Sequence, residues 1–241
     1  YTGLAVRTLT FKAKLDINVN KDIISTNGRL NLVFWSNLYY NSGSVYISDA
    51  TINTNGGLFY ISGGNESTTV RDALSGRVTV GANASASYAP FIHGVKINNS
   101  SISTRVQSGS SFSDGDVFIN GQRNYTADRY YETTGYGVLI EDDVTINSGS
   151  GDITIIAELK NRFRQGSAVS IGNSTSIETT SGNLSISGEI PATYNTTNWA
   201  YGVELKNSGT SDNLILKTVS GDISITGNYS LSSTWNNTGT K

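Results

Sequence analysis

The chain contains no cysteine and no methionine, and only two prolines in 241 residues. Without cysteine there is no disulfide framework, no thiolate nucleophile and no thiolate-held metal. Such a chain also cannot be trapped by disulfides while crossing an oxidising periplasm, which suits a bacterial exported protein, although a cytosolic protein is equally compatible with it. Charge is equally sparse: Asp, Glu, Lys and Arg make up 15% of the residues and the net charge is −2. A phosphate-backbone surface needs clustered Lys and Arg, so nucleic-acid binding is not expected. No run approaches the ~20 apolar residues that span a bilayer, so no membrane insertion is expected either. With neither an initiator Met nor a hydrophobic presequence, residues 1–241 read as an excised segment of a larger exported protein.

Polar residues abound instead, with 60 Ser and Thr and 25 Asn. Such polarity can mean disorder, but a regular apolar alternation argues against it here. Gly137-Val138-Leu139-Ile140 is followed by Val144-Thr145-Ile146 and then Gly151-Asp152-Ile153-Thr154-Ile155. The next unit has Val169-Ser170-Ile171, Ile177 and Gly182-Asn183-Leu184-Ser185-Ile186. The one after has Gly202-Val203-Glu204-Leu205, Leu214-Ile215-Leu216 and Gly221-Asp222-Ile223-Ser224-Ile225. Three short strands per unit, each closed by a small polar turn, predict an all-β fold: a parallel β-helix, or solenoid, of about six coils. A β-sandwich also shows many short strands, but it predicts no recurring triplet.

Side chains alternate faces along a strand, so the outer members of each apolar-x-apolar phrase share the inward face. The expected inward pairs are Leu30/Leu32, Val45/Ile47, Val95/Ile97, Val117/Ile119, Val169/Ile171, Leu184/Ile186, Val203/Leu205 and Ile223/Ile225. Coils then start near Leu15, Val45, Val95, Val138, Val169 and Val203, at intervals of 30, 50, 43, 31 and 34 residues. The extra length falls in excursions after the third strand: Gly63 to Phe91, Gln122 to Tyr136, Lys160 to Gly166, Glu189 to Tyr201, and Tyr229 onward. Insertions at one corner of successive coils build a composite surface. Neither chain end carries a helical cap, so native neighbours are expected to continue the coil on at least one side.

Several motifs invite chemistry. Gly115-Asp116, Gly151-Asp152 and Gly221-Asp222 suggest calcium, but the tandem Gly-Gly-x-Gly-x-Asp nonapeptide is missing. They read as turns, Gly supplying a positive φ and Asp a side-chain hydrogen bond. Glu141-Asp142-Asp143 suggests a carboxylate pair, yet the aligned turns offer Gly172-Asn173 and Asn207-Ser208, so a solvated turn is expected. His93, the only histidine, has no Ser or Cys nucleophile motif beside it and reads as structural. No catalytic residue, metal ligand or cofactor site is assigned, and the chain is not read as an enzyme.

The excursions hold most of the recognition chemistry: Trp35, Tyr39, Tyr40, Tyr125, Tyr130, Tyr131, Tyr136, Tyr194, Trp199, Tyr201, Tyr229 and Trp235, interspersed with Arg123, Arg129, Arg162 and Arg164. Aromatic rings stack on the apolar faces of sugars, and Arg binds hydroxyls and carboxylates. The alternative is that these rings simply cover the open corner of the coil. Arg123, Tyr125, Arg129, Tyr130, Tyr131, Arg162, Arg164, Tyr194 and Trp199 are the candidate glycan- or receptor-binding residues. Asn-x-Ser/Thr sequons occur at Asn65, Asn83, Asn98, Asn99, Asn124, Asn173, Asn183, Asn195, Asn228 and Asn236, the candidate glycosylation sites.

Phrases such as Ile24-Ser25-Thr26-Asn27-Gly28, Ile146-Asn147-Ser148-Gly149-Ser150-Gly151-Asp152-Ile153-Thr154-Ile155 and Ile177-Glu178-Thr179-Thr180-Ser181-Gly182-Asn183-Leu184-Ser185-Ile186 resemble the repeats of two-partner-secreted exoproteins. These are the filamentous-haemagglutinin and high-molecular-weight adhesin families of Gram-negative bacteria, the latter nearer in being cysteine-poor and sequon-rich. The resemblance is one of repeat style and covers most of the chain outside the excursions. It implies a right-handed parallel β-helix, export through an outer-membrane secretion pore, and a place on the bacterial cell surface or outside the cell. It further implies attachment to host-cell glycans or glycoproteins, in some members sialylated, and hexose modification of sequon Asn. The secretion-domain motif Asn-Pro-Asn-Gly is absent, so the segment resembles a passenger region. An adhesin segment is therefore the leading expectation, a passive stalk the second, and a polysaccharide-active β-helix enzyme the third.

Overall fold

The computed structural model describes residues 6–36, 43–64, 82–84, 93–106, 113–124, 135–160, 166–190, 200–207 and 213–229. Among them there is no helix. Strand β1 (Arg7–Lys12) precedes six coils. The first three coils are β2 (Ile17–Val19), β3 (Ile23–Ile24) and β4 (Leu30–Ser36); β5 (Val45–Ser48), β6 (Thr51–Asn53) and β7 (Phe59–Gly63), followed by β8 (Ala82–Ala84); then β9 (Val95–Asn98), β10 (Ser101–Ser103) and β11 (Val117–Asn124). The last three are β12 (Gly135–Glu141), β13 (Thr145–Gly149) and β14 (Ile153–Lys160); β15 (Gly166–Gly172), β16 (Ser176–Thr179) and β17 (Leu184–Ile190); β18 (Ala200–Lys206), β19 (Ile215–Thr218) and β20 (Ile223–Tyr229).

Each coil gives one strand to each of three sheets. The first sheet runs β2-β5-β9-β12-β15-β18, the second β3-β6-β10-β13-β16-β19, and the third β1-β4-β7-β11-β14-β17-β20 with β8 also paired to β11. All pairings are parallel, as in β9 with β12 and β14 with β17. This is the parallel β-helix that the triplet repeat predicts. The first-sheet strands begin at Ile17, Val45, Val95, Gly135, Gly166 and Ala200. The first coil thus starts two residues after Leu15, which is exposed, and the last three strands start earlier than the apolar phrase that marks them.

Stacking in register turns the repeated phrase into continuous apolar columns. Val45, Val95, Val138, Val169 and Val203 form one. Ile23, Ile52, Ile102, Ile146, Ile177 and Leu216 form another in the second sheet. In the third sheet Phe11, Phe34, Ile61, Ile119, Ile155, Ile186 and Ile225 line up. Most of these side chains are fully buried in one cluster, and each buried aliphatic contributes about 1.5–3 kcal/mol. Phe11 and Phe34 pack at 5.4 Å between centroids and Phe34 and Phe59 at 6.0 Å, so the first coils are filled by rings. The expected inward face holds except at Leu30, which is half-buried and stands at the corner beside Gly57, so that Leu32 and Phe34 are the inward pair of β4. Leu205 and Ile225 are only half-buried and Ile223 is exposed. No further coil covers these last positions among the described residues.

The corners follow from the same stacking. Between the second and third sheets a hydroxyl recurs three residues before a glycine and donates to that glycine's carbonyl. Ser25 bonds Gly28 O at 2.6 Å, Thr54 bonds Gly57 O at 2.6 Å and Ser148 bonds Gly151 O at 2.6 Å. Thr54, Ser148 and Thr179 in this column are buried, where an unpaired hydroxyl would be costly. The glycines themselves correct one expectation. Gly115, Gly151, Gly182 and Gly221 do not have positive φ. Each is glycine because a Cβ would collide with the carbonyl of the glycine one coil earlier: Gly115 on Gly57, Gly151 on Gly115, Gly182 on Gly151 and Gly221 on Gly182.

The acidic or amide residue after each glycine forms a second ladder. Asp152 N donates to Asp116 Oδ1 at 2.9 Å, Asn183 N to Asp152 Oδ1 at 2.7 Å, and Asp222 N to Asn183 Oδ1 at 3.0 Å. The Gly-Asp phrases are hydrogen-bonded turns. Left-handed backbone lies mainly between the first and second sheets, at Asp49, Asn99, Asp142, Asp143, Asn173 and Ser174, and at the second-to-third corner in Asn55, Gly56 and Gly149. Asp and Asn tolerate that conformation best among residues with a Cβ. Asp142 and Asp143 are exposed there, as a solvated turn requires.

Two substitutions test this packing. Gly151→Ala forces adjacent backbones apart and is expected to cost about 1–3 kcal/mol, read as a lower urea midpoint. Ile155→Asp places an unpaired carboxylate in a sealed column and is expected to cost on the order of 3–5 kcal/mol. A variant melting with the parent refutes the corresponding column.

Candidate binding surface

The connections from the third sheet to the first lie at one corner of the coil, between β1 and β2, β4 and β5, β7 and β9, β11 and β12, β14 and β15, and β17 and β18. The excursions expected from the sequence do leave from the third strand. They are shorter than expected, because the strands continue past the apolar core. Gln122 to Asn124 extend β11, Glu189 and Ile190 extend β17, and Gly135 and Tyr136 already belong to β12.

The continuation is made possible by a seam of small residues. Gly121, Ala157, Gly188 and Gly227 are in register in the third sheet, and they approach Gly137, Ala168 and Gly202 of the first. A Cβ on Gly121 would strike Gly137 O, and one on Gly188 would strike Gly202 O. Beyond the seam the two sheets still enclose side chains: Arg123, Leu159 and Ile190 from the third sheet and Ala200 from the first are buried. The Arg123 guanidinium fills the space that a Cβ on Gly135 would need.

This placement corrects one candidate. Arg123 is 2% exposed and packs inside the corner, so it does not offer its guanidinium to a ligand. Tyr125, Arg129, Tyr130, Tyr131, Arg162, Arg164, Tyr194 and Trp199 lie outside the described residues. Four further aromatics read as excursion residues are strand residues, Tyr229 as the last residue of β20. Trp35 in β4 is buried and donates from Nε1 to Gly64 O at 3.3 Å. Tyr136 in β12 and Tyr201 in β18 are also buried. Trp35, Val33 and Tyr60 form a second apolar cluster with Phe118, where the Tyr60 and Phe118 rings stack at 4.5 Å. Burial pushes the Tyr60 phenol well above its ordinary range.

The outer face of the first sheet, beside this corner, carries an aromatic and charged row that the sequence did not reveal. His93 stacks on Tyr136 at 5.3 Å and its backbone N–H donates to Tyr46 Oη at 3.2 Å. Lys206 donates to Tyr136 Oη at 2.7 Å, lies 4.7 Å from that ring's centroid and pairs with Glu204 at 3.0 Å. Ser167 Oγ donates to the same Glu204 carboxylate at 2.6 Å, and Lys96 pairs with Glu141 at 3.2 Å. Burial opposes the Lys206 charge, but the bonds to Tyr136 and Glu204 outweigh it and raise its pKa. The row crosses five coils and knits them together through groups up to 70 residues apart.

His93 is held neutral. Burial, with the positive charges of Arg123 and Lys96, lowers its pKa to about 3. The His93 ring packs on Tyr136, while its Nδ1 is buried without a hydrogen-bond partner among the described residues. Among the described residues no three His, Asp or Glu side chains come together as a metal site.

The sequons divide similarly. Asn65, Asn195 and Asn236 lie outside the described residues, while Asn83 and Asn124 lie in β8 and β11. Asn99 and Asn173 turn their amide nitrogens to carboxylates of the preceding coil, Asp49 at 3.4 Å and Asp142 at 3.5 Å. Asn98 is half-buried, and Asn183 and Asn228 are exposed. No protein-family model, curated protein or solved structure matches the chain.

The His93 environment predicts a pH effect. Unfolded His93 takes up a proton near its ordinary pKa of 6.5 and the folded residue only near 3. The unfolded state therefore binds more protons between these values, and stability falls as pH drops through that window. The expected contribution is on the order of a few kcal/mol. Urea midpoints of the parent and His93→Gln, measured from pH 7 to pH 3, are expected to converge as pH falls. Parallel curves refute a neutral, buried His93.

Proposed function

We propose that the chain is a segment of an exported bacterial adhesin, displayed at the cell surface, that binds host glycoconjugates through its third-to-first-sheet connections. The observation that carries this reading is the alignment of all these connections at one corner of consecutive coils. β11, β14 and β17 are direct neighbours, so the connections after β11 and β17 start about 10 Å apart, two strand spacings. Their sequences supply Arg129, Tyr130 and Tyr131 on one side and Tyr194 and Trp199 on the other, with Arg162 and Arg164 between. Rings of this kind stack on sugar faces, and an arginine takes the carboxylate of an acidic sugar in a bidentate bond. Export through a partner pore belongs to the same proposal and rests on the repeat style.

A second reading, a passive stalk whose corner residues only cover the coil, is favoured by the burial of Trp35, Arg123, Tyr136 and Tyr201. Binding to a glycan array and to host cells separates the two. Arg129→Ala with Tyr130→Ala, or Trp199→Ala alone, is expected to weaken attachment by about 1–3 kcal/mol without lowering the melting temperature. Stable variants that attach like the parent favour the stalk.

A further inference from the structure

The outer face of the first sheet has a trough one strand wide. Val169 and Ile171 of β15 point into the core, so Ser170 and Gly172 stand on the outer face. Ser167 joins them through its bond to the outward Glu204. In register beside these small residues are Tyr136 and Leu139 on β12, and Tyr201, Glu204 and Lys206 on β18. The trough between the two taller strands is two strand spacings across, about 10 Å.

The chain itself closes this trough. Lys206, two coils beyond Tyr136, runs diagonally to the Tyr136 phenol, with Nζ 2.7 Å from Oη and 4.7 Å from the ring centroid. Gly172 lets the lysine stem lie down, since a Cβ there would stand 2.9 Å from Lys206 Cβ. The strap so formed passes over Ser170, on the coil between its two ends. Leu139 and Ser170 are accordingly 3% and 1% exposed although they face away from the core. Ser170 Oγ has no hydrogen-bond partner among the described residues. A buried hydroxyl without a partner is costly, and this one is aimed into the trough. His93, one coil before Tyr136, stacks on that ring, which leaves the side toward β15 to the Lys206 ammonium.

We propose that this trough is a subsite for one neutral hexose ring, and that Lys206 is a strap which the sugar displaces. The ligand class rests on the glycan-binding reading above. The C–H face of the sugar takes the place of the ammonium against Tyr136. One hydroxyl bonds Ser170 Oγ, and a neighbouring hydroxyl donates to the Glu204 carboxylate. A neutral sugar fits better than an acidic one, because both nearby ammonium groups are already paired, Lys206 with Glu204 and Lys96 with Glu141. Tyr136 and Tyr201 stand where the connections after β11 and β17 re-enter the first sheet. A glycan held by those connections therefore runs directly onto the trough.

Amide chemical shifts test it. Titration with the methyl glycosides of glucose, galactose and mannose, each to about 50 mM, covers the weak binding expected of a single ring. At least one is expected to shift the Ser167, Ser170 and Gly172 amides in a saturable way. Ser170→Ala is expected to weaken that binding about tenfold and to melt no lower than the parent. Lys206→Ala removes the strap and is expected to tighten binding at least about threefold. The proposal is overturned if no glycoside moves the β15 amides, if Ser170→Ala binds like the parent, or if Lys206→Ala binds no tighter. Host-cell attachment is scored separately. Saturable β15 shifts without attachment keep the trough and remove the adhesin reading, and attachment without β15 shifts does the reverse.

Discussion

Every position in this molecule has to tolerate its counterpart one strand spacing away, about 4.8 Å along the axis. That single constraint selects the residue types of the whole repeat. Aliphatic side chains satisfy it by stacking into the columns that contain Ile155 and Ile177. At the corner between the second and third sheets nothing larger than hydrogen satisfies it, because the carbonyl of one glycine occupies the Cβ position of the next. Hydroxyls satisfy it by turning inward onto a carbonyl, as Thr54 and Ser148 do. Carboxylates satisfy it only because the facing group is a backbone N–H: Asp152 lies above Asp116 and offers its amide hydrogen, not its charge.

The same constraint explains where sequence freedom survives. At the corner between the third and first sheets the strands are pinched by Gly121, Ala157 and Gly188 and then run on past the core. The connections that leave this corner differ in length and composition from coil to coil, and more than half of the tyrosines and arginines of the chain lie in them. A recognition surface is most readily built on this corner, since its changes do not propagate into the stack.

Much of the fold was legible because alternation of period two is a local signal. The inward pairs from Val45/Ile47 to Leu184/Ile186 needed only their own strand to be read. Glycine's role was visible as a spacing, in Ser148 to Gly151 and Thr179 to Gly182, but its cause was not: the colliding carbonyl belongs to a residue about thirty positions earlier in the chain. The ends of the strands were misread for a related reason. Gly121, Ala157 and Gly188 interrupt the apolar signal, and Arg123 beyond them looks like a surface residue, yet it fills a space set by Gly135. Trp35, Tyr136 and Tyr201 were taken for loop residues on the same grounds. The row from His93 through Tyr136 to Lys206 was out of reach, because it depends on the register left after connections of unequal length.

Strand β8 shows how far this release extends. β11 pairs through Val117 to Ile119 with β7, and through Gly121 to Arg123 with β8, so two pieces of chain on either side of residues 65–81 together do the work of one strand. The coil is thus a cassette in which pairing with β11 fixes the chain on either side of that segment. Lengthening such a segment is inexpensive, since each doubling adds only about 0.6 kcal/mol of closure entropy. Evolution can therefore rewrite this edge by insertion as well as by substitution, while the columns beneath keep the same address for every coil.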